Sequence, residues 1–144
     1  MLTVIVPASS ANVGSGFDSF GVALSLYNRY QVLDLLPPHT YDIEVIGEGG
    51  KDLAAGEDNL IIKSFEAAIA NFDIPPVGLK LRSYNAIPLS RGLGSSASAI
   101  VGGVMLAKAV GKLELSKERL LPLMVELEGH PDNVVPCCMG GFVI

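Results

Sequence analysis

At 144 residues, 49% hydrophobic and 17% charged, with no charge run or low-complexity tract, the chain is long enough to bury one core and too apolar for disorder. A net charge of -5, a pI near 4.9 and scattered Lys and Arg leave no basic footprint for a nucleic-acid backbone. No apolar run nears the ~20 residues of a membrane span, the apolar start has no basic flank of a signal peptide, and the only cysteines, Cys137 and Cys138, are adjacent, which suits neither a disulfide nor metal-ligand spacing; the chain reads as cytoplasmic.

In chain order, residues 2–6 (LTVIV) read as a buried strand that ends at Pro7. Residues 8–21 follow as a small, polar, glycine-bearing loop. Residues 22–36 are extended, and YDIEVIG (41–47) alternates outward Asp42 and Glu44 with inward Ile43, Val45 and Ile46. Asp58 or Asn59 caps a helix to about Asn71, with Ile61, Ile62, Phe65, Ala68, Ile69 and Phe72 at helical spacing. VGLKLRSY (77–84) is again a strand, followed by a loop and a helix from about Ser95. A further helix starts near Ser116, with Glu118 in its first turn and Pro122 interrupting or bending it. Pro131 can start a short helix, and the last residues read as a strand beginning. The sum is one α+β domain, a largely antiparallel sheet packed with helices.

Three polar stretches carry the chemistry. In IPLSRGLGSSASAIVGG (87–103), glycines and serines sit at a helix start, where the first amides have no intrahelical acceptor and the dipole is positive. That suits a phosphate, with Gly92 and Gly94 permitting backbone approach and Ser95, Ser96 and Ser98 adding hydroxyls, one of them a possible magnesium ligand. The Lys-Ser or Lys-Thr pair of a Walker loop is missing. The plain alternative is a serine-capped helix start with small residues for close packing. PASSANVGSGFD (7–18) holds Ser9, Ser10, Asn12 and Asp18, more hydrogen-bonding groups than a turn uses. EGHPDN (128–133) holds Glu128, His130, Asp132 and Asn133, where His130 reads as structural by default and its only possible histidine partner for a metal, His39, lies in a separate turn. Gly92 to Ala97 also matches G-x-G-x-x-A, which opens a dinucleotide-dependent oxidoreductase reading with Glu114 as the nearest, poorly placed, ribose acid.

Together PASSANVGSGFD, PLSRGLGSSASA (88–99) and EGHPDNVVP (128–136) followed by GGFV resemble the GHMP kinase superfamily, and the third stretch favours its homoserine kinase family over the mevalonate or galactose kinases. Ser15 departs from the proline common there. The resemblance implies a fold like domain 2 of ribosomal protein S5, with a left-handed strand–helix–strand crossover. Residues 1–144 then correspond to the N-terminal ATP-binding domain. The C-terminal domain, with its arginines for the substrate carboxylate, lies outside them, so the chain reads as a fragment that is inactive alone. The implied reaction is ATP-dependent phosphorylation of L-homoserine to O-phospho-L-homoserine, in threonine biosynthesis, with ATP as co-substrate and Mg2+. Pro88, Leu89, Ser90, Arg91, Gly92, Leu93, Gly94, Ser95, Ser96, Ala97 and Ser98 would wrap the ATP phosphates. Ser96 and Glu128 would hold the magnesium ion, as the catalytic pair. Asn12, Asp18, His130, Asp132 and Asn133 would meet the amino acid, and a homodimer is compatible with the family. Another GHMP small-molecule kinase, the oxidoreductase, and a non-catalytic nucleotide-binding or interaction module are the other readings. Magnesium-dependent ATP binding, NAD binding, or neither separates kinase, oxidoreductase and interaction module.

Overall fold

The computed structural model describes residues 2–10, 22–47, 59–87, 94–129, 133–140 and 142–143. The first apolar run becomes β1, Leu2–Ser10, which continues beyond Pro7. Proline has no N–H to give a ladder, and the pairing register shifts between Pro7 and Ser9, the kind of irregularity that accommodates it. The loop expected from residue 8 is corrected at residues 8–10, which belong to the strand, and its remainder, 11–21, lies outside the described residues. β2, Val22–Leu36, returns antiparallel to β1, setting Tyr30 opposite Val4 and Asn28 opposite Val6.

β3, Tyr41–Gly47, leads through α1, Leu60–Asn71, to β4, Gly78–Asn85. β3 and β4 pair in parallel, as a crossover through a helix permits, whereas β4 pairs antiparallel with β2. With β5, Phe142–Val143, antiparallel to β1, the order is β3-β4-β2-β1-β5. The largely antiparallel expectation holds, with one parallel pair. Ile46 corrects a detail: expected inward beside Val45, it is 40% exposed, because consecutive strand residues face opposite sides.

One face of the sheet is covered by helices. Val4, Val6, Tyr30, Val32, Leu79 and Leu81 are buried there with Ile61, Ile62, Phe65 and Ala68 of α1. Asn59 caps α1 as expected, its Oδ1 accepting the Ile61 N–H at 2.8 Å. α2, Ser95–Val110, packs on both α1 and β1. From Ala97 to Ala107 only Ala99 is not fully buried, the signature of a helix enclosed on nearly all sides. Two glycines allow this enclosure. A Cβ at Gly102 would overlap the Tyr30 ring, and one at Gly103 would overlap the Ile61 carbonyl of α1.

α3, Lys117–Glu128, remains a single helix through Pro122, so of the expected interruption or bend the interruption does not occur. Pro122 is exposed, so the Glu118 carbonyl that loses its N–H partner lies on the water-facing side. α4 is Val134–Gly140, starting three residues after Pro131, with Pro136 in its first turn where a missing N–H costs nothing. It packs on β1, α2 and α3. There the single Cys137 thiol proton faces the Pro7 carbonyl oxygen, 3.2 Å from Sγ, and Ser9 Oγ, 3.4 Å from it. No described helix is long and apolar enough to cross a membrane.

Two expectations follow from this packing. Gly103→Ala adds a methyl against backbone that cannot yield, so an overpacking penalty of about 1–3 kcal/mol opposes the ~1 kcal/mol helix-propensity gain; urea unfolding should show a net loss, and a stabilised variant would refute the close approach. Burial pushes the Cys137 thiol up to about 11 from 9.0, chiefly by desolvation. A thiol whose folded value is raised holds its proton longer than the unfolded chain does, so stability is fully present below about 9 and is lost as pH rises towards about 11. Cys137→Ala should flatten the urea midpoint against pH over that window, whatever its offset at neutral pH.

Candidate active site at the start of α2

Gly94 supplies the turn into α2. Its φ of +74 lies in the left-handed region that glycine enters without strain, and as a glycine it places no side-chain cap on the helix. The serines therefore do not act as an ordinary N-cap here. Ser95, Ser96 and Ala97 occupy the first turn, whose N–H groups have no acceptor within the helix and whose dipole favours an anion. The Gly94 carbonyl closes the turn by accepting the Ser98 N–H at 2.8 Å.

The exposed Ser96 hydroxyl faces the Glu128 carboxylate, with Oγ 3.3 Å from Oε1 and 3.4 Å from Oε2. Glu128 is the last residue of α3, which Gly129 ends in a left-handed cap, and no basic residue shares its last turn. A carboxylate at a helix C-terminus meets a negative dipole, unfavourable by about 0.3–1 kcal/mol. A cation shared with Ser96 would offset that. Among the described residues no group of three or more His, Cys, Asp and Glu could hold a metal, so Glu128 is the one carboxylate they place beside Ser96.

Across the helix start from this pair, Ser9 Oγ donates to Asn133 Oδ1 at 2.9 Å. A Cβ at Gly94 would fall on the same Ser9 oxygen. One hydroxyl on β1 thus touches the turn before α2, the residue before α4 and, through Cys137, α4 itself. Ser98 points inward, fully buried, and its Oγ lies 2.9 Å from the Tyr30 hydroxyl.

The structure therefore brings together Gly94, Ser95, Ser96, Ala97, Ser98, Glu128 and Asn133. Pro88, Leu89, Ser90, Arg91, Gly92, Leu93, Asn12, Asp18, His130 and Asp132 lie outside the described residues. Sequence reasoning gave no separate role to Ser9 and overlooked Tyr30 and Cys137. Ser9 and Asn133 are 124 positions apart, and no local spacing signals such a contact.

The GHMP kinases N terminal domain family matches residues 59–141. A homoserine kinase from Carboxydothermus hydrogenoformans is 46% identical over 145 residues, covering 100% of this chain and 47% of that protein. One from Clostridium botulinum is 44% identical, covering 99% and 46%. The crystal structure of homoserine kinase from Cytophaga hutchinsonii aligns with a TM-score of 0.78 at 28% identity, over 99% of this chain and 48% of that one. The chain spans about half the length of the curated relatives it matches. With the family match running from the cap of α1 through α4, across the glycine turn and the Ser96–Glu128 pair, the chain belongs to the GHMP kinases.

Proposed function

We propose that the chain is the N-terminal, ATP-binding domain of a homoserine kinase, which transfers the γ-phosphoryl group of ATP to the hydroxyl of L-homoserine. The observation that carries this reading is the Ser96–Glu128 pair at the uncapped start of α2. Both side chains offer hard oxygens. Their 3.3 Å separation is close to the roughly 3 Å between neighbouring ligands of an octahedral ion with 2.0–2.1 Å bonds. The residues thus fit magnesium, which when bound neutralises phosphate charge and orients the phosphate oxygens.

The α2 N–H groups donate to the phosphates, and Gly94 lets these approach without a side chain in the way. Ser96 and Glu128 would hold the magnesium ion. Asn133, held by Ser9, borders the acceptor side, with Asn12, Asp18, His130 and Asp132 completing the contacts to the amino acid. Homoserine as acceptor rests on the relatives that match nearly the whole chain. The oxidoreductase reading loses its support in the fold, because α2 leads to α3 and the parallel pair, β3 with β4, is joined through α1. Homoserine-dependent ADP release by the full-length protein that contains these residues tests the proposal; ATP bound without turnover of homoserine would move the assignment to another GHMP acceptor.

Two further outcomes are expected in that full-length protein. Ser96→Ala and Glu128→Gln should each raise the magnesium requirement about tenfold, the scale of a lost contact to a charged group, and the double variant should cost much less than the two costs added. Additive costs would mean that the two side chains serve separate roles. Gly94→Val should weaken ATP binding more than Arg91→Ala, because a β-branched residue at a φ of +74 is strained and would strike Ser9. The reverse order in a binding titration would show that side-chain charge outweighs the amide cradle.

A further inference from the structure

We propose that Asn28 and Tyr30, both on β2, are positioning residues that fix the two ends of the connection from β4 to α2 and thereby set nucleotide affinity. The inference rests on the kinase reading above. Asn28 and Tyr30 are two apart on a strand and so share the face that meets the helices. Both are buried, at 4% and 1% exposure. Asn28 Oδ1 accepts two backbone N–H groups, Ala86 at 2.8 Å and Ile87 at 2.9 Å, where the chain leaves β4. Its Nδ2 donates to the Tyr30 hydroxyl at 3.2 Å, and that hydroxyl lies 2.9 Å from Ser98 Oγ, in the first turns of α2.

The Tyr30 oxygen accepts from Asn28 Nδ2, and of the Tyr30 and Ser98 hydroxyls either one serves as the donor to the other. Burial raises the Tyr30 hydroxyl to about 12, so it stays protonated throughout the neutral range. Gly102 lets the ring approach α2 closely.

An apolar pair could fill the same volume, and buried polar atoms are costly unless every partner is in place. Here the partners lie at the two ends of one connection, Ala86 and Ile87 on one side and Ser98 on the other. Between them in sequence runs the stretch with the proposed phosphate ligands. Both ends are thus held to one strand, Ala86 and Ile87 by Asn28 and Ser98 by Tyr30, so loss of the Tyr30 hydroxyl releases the α2 end.

The test uses Tyr30→Phe in the full-length protein, which keeps the ring against Gly102 and removes only the hydroxyl. Tyr41→Phe serves as control, because it removes a tyrosine hydroxyl bonded to Glu66 on the far side of α1. Tyr30→Phe removes both hydrogen bonds of that hydroxyl and should weaken Mg-ATP binding about tenfold, with the homoserine KM within about twofold of wild type. Tyr41→Phe should lower Tm without changing ATP affinity. Ser98→Ala should mimic Tyr30→Phe, the double variant adding little to either, and it carries the test alone if Tyr30→Phe fails to fold. Unchanged ATP affinity in the variants, or an equal loss in Tyr41→Phe, overturns the positioning role and leaves the kinase reading intact. A wild-type protein that binds no Mg-ATP overturns both.

Discussion

The closeness of α2 to its two neighbours governs the rest of the molecule. A helix buried on nearly all sides between a sheet and another helix must meet backbone or a large ring wherever it touches, and Gly102 and Gly103 remove the side chains that would hold the layers apart. Once α2 is fixed at that depth, its start has one place to emerge, beside the end of β1. Gly94 makes the turn there in a backbone conformation that other residues reach only with strain. The small residues that look like a flexible loop in the sequence are therefore consequences of packing as much as of ligand approach.

The electrostatics of the helix start follow from its composition. With a net charge of -5, the domain cannot draw a polyphosphate by bulk attraction. It offers oriented amides, which need no counter-charge, and a carboxylate–hydroxyl pair suited to a hard cation. Glu128 meets a dipole penalty at the end of α3, where no basic residue of that turn offsets it, and the proposed metal-binding role would offset it.

Much of this was legible in the sequence. Alternation gave β3 and β4, the capped apolar period gave α1, and the glycine–serine stretch marked the start of α2, because each signal is local. Glu128 and Ser96 could be paired only through the family resemblance, since 32 positions separate them. Pro7 and Pro122 misled for one reason: proline forbids a single N–H bond, and both a strand with a register shift and a helix with that carbonyl facing water tolerate its loss. Tyr30 looked like any strand aromatic. Its hydroxyl matters because of what α2 brings to it, and a partner 68 residues away leaves no periodic trace.

The neighbouring cysteines of α4 give the domain an internal clock. They are the only thiols in the chain, both are buried, and burial raises both above their ordinary range, so the reactive thiolate is scarce and shielded in the closed state. An added thiol reagent must wait for α4 to lift from β1 and α3. The rate of labelling then reads the frequency of that opening, at the one junction where Ser9, Asn133 and the turn of Gly94 meet.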